Sequence, residues 1–280
     1  MSEFHVREAA SSYENTTPKV KPAPKTSKIP SKFFYAASND GTDENLLVLL
    51  HGLGDTEIPF SKLGKSLKLP QTAVLALRAP EQVPFLYEDA FQWYTSFDDL
   101  GETILHPNPT PALQFMHKVV DHLITDCAWP ASRIHFFGFA QGGSVAAEFV
   151  LERWKRELES QKKRITSGTA GGETQPLEAF GSVTSISGPL LSYPTPSKPS
   201  PTPALVVHRS PPAETALPSG ALEAFKKGFS TVIDSKLGPK PEGMPASRQE
   251  WESIMRFWSE RLSKRTVSGL YEVMTGAAAS

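Results

Sequence analysis

Residues 135–150 read HFFGFAQGGSVAAEFV. A short apolar run ends in Gly138-Phe139-Ala140-Gln141-Gly142, and small and apolar residues follow. This is the pattern of a buried strand, a tight turn and a helix. Glycines on either side of a central residue let the chain bend sharply and let the next helix pack close. In the G-x-S-x-G form of such a turn, the central serine stands exposed at the C-terminal edge of the sheet. Here the central residue is Ala140, so the turn is present without its oxygen.

The rest of the chain supplies the sheet for that turn. Leu46–Leu50, Thr72–Leu77, Arg133–Gly138 and Ala204–His208 are short runs that are largely continuous and apolar, with Ala179–Ile186 a weaker fifth. Runs that do not alternate with polar residues fit strands buried on both faces of a parallel sheet. Helical spacing lies between and after them: Leu113, Met116, Val120, Leu123 and Cys127, then Trp251, Met255, Trp258 and Leu262 behind a Ser247 cap with Glu250 three residues on. The fold class expected is α/β, a mostly parallel central sheet with helices on both faces.

Residues 1–32, rich in Ser, Thr, Pro and Lys, are expected to form a disordered arm, 33–264 a single domain, and 265–280 a tail. Two stretches look like flexible insertions, at about 153–178, where a charged helix extension (RWKRELESQKKR) runs into an SGTAGGETQP loop, and at about 189–203, which is proline-rich. The chain has 280 residues and a net charge of −1, which gives no electrostatic case for nucleic acid or an anionic membrane. One cysteine, Cys127, permits no intrachain disulfide, and no apolar run is long enough to span a bilayer. The expected compartment is the cytoplasm, with the nucleus left open.

A second motif raises the specificity of the first. Leu46–Leu50 runs into His51-Gly52-Leu53-Gly54-Asp55, where the N–H of Leu53 can join that of Gln141 in cradling a carbonyl oxygen. LLVLLHGLGDTEIPF, then AP at 79–80, FQWYTSFD at 91–98 and RIHFFGFAQGGSVA together resemble the acyl-protein thioesterase, phospholipase and carboxylesterase family of the α/β-hydrolase superfamily, over roughly residues 33–263.

The resemblance implies an α/β-hydrolase fold and a Ser–Asp–His triad that cleaves fatty acyl esters or thioesters without a cofactor. The serine falls on Ala140, the acid loosely on Glu214, and the histidine, two positions after a Gly-Met pair, on Ala246. No histidine occurs anywhere in 209–280, so Ala140 belongs to a wider loss of the triad. The expected partner is an acyl chain or a lipidated protein, in a pocket built from His51, Gly52, Phe91, Trp93 and His208, with no metal. Phe85, Leu86, Phe91, Trp93, Tyr94 and Phe97, between the second run and the next helix, either line an acyl groove there or cap the core under a long loop. His51 and His208 are the histidines nearest the site, and local backbone bonding is their simplest role. The expected function is a non-catalytic, acyl- or protein-binding pseudo-hydrolase. The alternatives are an ester or palmitoyl-protein thioester hydrolase using other residues, and a scaffold with a vestigial pocket.

Overall fold

The computed structural model describes residues 20–84, 89–166, 177–241 and 243–265. Strands and helices alternate as the apolar runs require. The order is β1 (Phe33–Ala36), β2 (Asn45–Leu50), α1 (Glu57–Leu67), β3 (Thr72–Leu77), β4 (Glu81–Gln82), β5 (Phe91–Gln92), α2 (Thr110–Thr125), β6 (Ile134–Phe139), α3 (Gln141–Thr166), β7 (Ser182–Ile186), β8 (Ala204–Arg209), α4 (Ala221–Gly228), β9 (Val232–Leu237) and α5 (Arg248–Arg261). Seven strands form one sheet in the order β1-β3-β2-β6-β7-β8-β9, parallel except for β1.

β2, β3 and β8 are buried at every position, and β6 at all but its last. Their apolar side chains therefore serve two cores. On one face Leu46, Val48 and Phe136 pack with Met116, Val120 and Phe149; on the other Leu47, Leu49 and Phe137 pack with Ile254, Phe257 and Trp258. Each such side chain contributes roughly 1.5–3 kcal/mol of burial. α5 starts on Ser247, whose Oγ accepts from the Glu250 N–H at 3.2 Å. Among the described residues no helix is long and apolar enough to cross a membrane.

Three expectations about the polar segments need correction. Residues 20–32 are not a disordered arm: Ile29 is buried, the Lys21 N–H donates to Asp43 Oδ2 at 2.9 Å, and the Lys25 N–H donates to His122 Nε2 at 3.0 Å. Residues 1–19 lie outside the described residues. The first stretch is not a flexible insertion from 153: the helix extension over RWKRELESQKKR is part of α3, which continues to Thr166 and buries Trp154, while residues 167–176 lie outside the described residues. The second, 189–203, is pinned. Glu148 accepts from the backbone N–H groups of Leu191 and Ser192, and Trp154 Nε1 donates to the Lys198 carbonyl at 2.8 Å. Prolines there limit regular structure without loosening the chain.

Candidate active site

The site grows from the end of β6. Ala140 joins Phe139 to the first residue of α3 with φ +47°, a left-handed conformation that is strained for any residue with a Cβ. Packing holds it there. The Ala140 N–H donates to the Ile186 carbonyl at 2.8 Å, and its carbonyl accepts from Ser144 N–H at 3.0 Å. Space is short on both sides. A Cβ on Gly142 would come 2.5 Å from the His51 carbonyl oxygen, and one on Gly188 would come 2.5 Å from Ser144 N. Ala140 itself stays half-buried, so its methyl occupies the exposed place of the elbow.

The loop after β2 closes the other side. A Cβ on Gly52 would sit 3.7 Å from Ala140 Cβ, which puts the His51–Asp55 loop against the elbow. Neither the Leu53 N–H nor the Gln141 N–H has a hydrogen-bond partner among the described residues. The Gly54 N–H donates to the Phe91 carbonyl at 2.9 Å. The Gln141 side chain secures the next segment, accepting from Trp93 N–H at 2.9 Å and donating to the Tyr94 carbonyl at 2.9 Å and Ser96 Oγ at 2.7 Å. Behind the loop Arg78 and Glu57 form a buried two-pronged ion pair, at 2.5 and 3.0 Å.

His51 is fully buried, with Nδ1 2.7 Å from the Gly52 carbonyl and Nε2 accepting from Ala79 N–H at 3.0 Å. Both ring nitrogens are occupied, and burial lowers its pKa, so it is held neutral. It braces the loop and is not a pocket wall. Trp93 also departs from expectation. It is 0% exposed, and its Nε1 donates to the His51 carbonyl at 2.8 Å. An aromatic that fills the core beneath the loop cannot line an open groove. Phe91 is half-buried beneath the Arg78 guanidinium, 4.6 Å from its ring centroid. Phe85 and Leu86, also read as candidates for the substrate wall, lie outside the described residues.

The other two triad positions carry no catalytic pair. Glu214 is exposed. Ala246 is exposed on the rim of a cleft of about 700 Å³ between β9 and α5, although the preceding loop does pass the elbow: a Cβ on Gly243 would sit 3.9 Å from the Phe139 ring. Arg209 holds this loop. Fully buried, it binds Glu250 with two bonds, at 2.5 and 3.1 Å, and also reaches the carbonyls of Gly238, Gly243 and Met244. Glu250 in turn accepts from Ala246 N–H at 2.8 Å. Hydrogen bonds from Arg209 hold the Glu250 carboxyl below the usual carboxylate range. The sequence reading missed this anchor, because its partners are 41 residues apart and no local pattern links them.

Among the described residues, no substitute set is assembled at the elbow. His208 is turned toward β9, with Nε2 2.8 Å from Asp234 Oδ1. The other imidazole–carboxylate contacts among the described residues, His122–Asp126 and His117–Glu152, belong to α2 and its neighbours. Ser144 is 1% exposed, one turn into α3, so its hydroxyl is sealed from solvent.

Comparison with known proteins agrees with this geometry. Residues 33–159 match the phospholipase/carboxylesterase family profile. The chain is 39% identical over 238 residues to an uncharacterized hydrolase of Mycosarcoma maydis, covering 84% of this chain and 83% of that one. It is 32% identical over 114 residues to an uncharacterized hydrolase of Schizosaccharomyces pombe, covering 38% of this chain and 47% of that one. The structure of Zea mays acyl-protein thioesterase 2 superposes with a TM-score of 0.59 at 20% identity, over 83% of this chain and all of that one. That of esterase PE8 gives 0.62 at 16% identity, over 84% of this chain and all of that one. With its elbow, its facing His51–Asp55 loop and the Mycosarcoma maydis relative, the chain belongs to the phospholipase/carboxylesterase family of α/β hydrolases.

Proposed function

We propose that this protein is a pseudo-hydrolase, which binds an acyl group through its carbonyl at the elbow and does not cleave it. One observation carries the reading. Ala140 occupies the nucleophile's strained position with no side-chain oxygen, while the N–H groups of Leu53 and Gln141 have no partner among the described residues. Losing the nucleophile of a serine hydrolase costs about 10⁶ in turnover, or roughly 8 kcal/mol of transition-state stabilisation. Oriented donors with substrate binding retain only about 10³–10⁴ over water. Neither Ala140 nor Ala246 carries a side chain able to take or deliver a proton, and both nitrogens of His51 are engaged. What remains suits recognition of an acyl ester, thioester or acid.

The test measures binding and turnover together. A fluorescent medium-chain acyl probe is expected to bind the full chain with no release of product from a p-nitrophenyl ester or a thioester. Ala140→Trp, which fills the exposed place of the elbow, is expected to abolish binding. Turnover well above background would overturn the non-catalytic reading, and unchanged binding to Ala140→Trp would remove the ligand from the elbow.

A further inference from the structure

The Gln141 side chain fixes more than the turn. Ser96, which it holds, begins a tight hairpin: the Ile104 N–H donates to the Ser96 carbonyl at 2.8 Å, Phe97 pairs with Thr103, and the Asp98 N–H donates to the Glu102 carbonyl at 3.0 Å. Asp98 Oδ1 accepts from the N–H groups of Leu100 and Glu102, both at 2.9 Å, and Gly101 takes φ +81° to close the turn. The hairpin is thus well tied, yet it buries little of its own apolar surface. Leu100 is 88% exposed, Leu105 86% and Phe97 48%. On the loop facing the elbow, Leu53 is a further exposed residue. Single exposed leucines are ordinary, but large apolar side chains exposed together on one short hairpin mark a contact surface.

The charge on the same hairpin has one sign. Asp98, Asp99 and Glu102 are exposed, and none has an ion-pair partner among the described residues. The chain as a whole has a net charge of only −1, so this acidity is local. We propose that the 96–105 hairpin docks a basic polypeptide segment with interspersed apolar side chains, presented beside the elbow. Leu100, Leu105 and Phe97 cover the apolar side chains, and the three carboxylates select lysine and arginine over acidic residues. An anionic membrane surface would be repelled by the same carboxylates. Each exposed pair contributes only about 0–1 kcal/mol, so the charges act chiefly as a filter among partners.

The test uses two fluorescent twelve-residue peptides of equal leucine content, one with lysines and one with glutamates, and the full-length protein. Anisotropy at low salt is expected to show the lysine peptide binding about 10-fold tighter or more, with the preference reduced at 0.5 M salt. Asp99→Lys/Glu102→Lys, which leaves the hairpin's Asp98 cap intact, is expected to remove the preference. Leu100→Ser/Leu105→Ser is expected to weaken binding of the lysine peptide. Glu159→Lys/Glu223→Lys, on α3 and α4, is expected to change nothing. Equal binding of both peptides, or equal loss in the two charge-reversed variants, would overturn the proposal. So would preferential binding to phosphatidylserine vesicles.

Discussion

The elbow at 138–144 and the loop at 238–246 pass each other at Phe139, and they are held by opposite means. Backbone sets the elbow, where β6, β7 and the β2 loop approach too closely to admit side chains at Gly142 or Gly188. Side chains set the loop, where one buried guanidinium binds a carboxylate and three carbonyls. The two regions should therefore respond differently to a change of residue. A turn wedged by backbone keeps its strained shape whatever its central side chain. A loop tied by an ion pair needs its anchor, to which Ala246 contributes only its backbone N–H.

The largest effect should come from breaking the elbow. In Gly142→Ala the new Cβ meets backbone, which cannot step aside, and a loss of about 3 kcal/mol or more is expected by urea denaturation. Arg209→Met attacks the loop instead and leaves the mostly buried Glu250 carboxylate unpaired, at roughly 3 kcal/mol. Proteolysis between 238 and 246 should accelerate in that variant. Arg209→Met/Glu250→Leu should recover much of the loss, since an apolar pair of similar volume needs no partner. No recovery would mean that the carbonyl bonds of Arg209, and not the ion pair, hold the loop.

Acid separates the two regions further. His135, buried at the start of the elbow's strand, has its pKa lowered to about 4, first by burial and then by Arg133. The unfolded chain takes up that proton near pH 6.5, so stability present above 6.5 is lost progressively as pH falls to about 4, by roughly 3 kcal/mol. His135→Gln should flatten that slope in melts between pH 4 and 7. The Arg209–Glu250 contribution behaves differently, because the Glu250 carboxyl is held below its ordinary range. It is complete above that range and is lost only as pH falls through the depressed value. The smallest effect is at the turn itself. Ala140→Gly relieves a left-handed alanine and should stabilise by about 0.5–1 kcal/mol in the same denaturation assay.

Local pattern decided what could be read from the sequence. β3 occupies the residues its apolar run predicts, and the runs over β2, β6 and β8 miss by about one residue, because strands buried on both faces leave no ambiguity of period. β9 and α4 went unread. Val232–Leu237 is a half-exposed edge strand containing Asp, Ser and Lys, and it looks like loop until β8 is placed beside it. At the site, the glycine spacing gave the elbow and its missing oxygen directly. Trp93 was misplaced because an aromatic in a long connection reads alike whether it fills the core or lines a groove. The Arg209–Glu250 anchor and the acidic hairpin depend on contacts or exposures that no spacing encodes.

Active-site labelling most directly tests the proposal that the elbow persists without its chemistry. The wild-type chain, incubated with a fluorophosphonate and weighed by intact-mass spectrometry, should keep its unmodified mass. A stoichiometric adduct mapped to any serine, Ser144 or Ser187 beside the elbow above all, would contradict it.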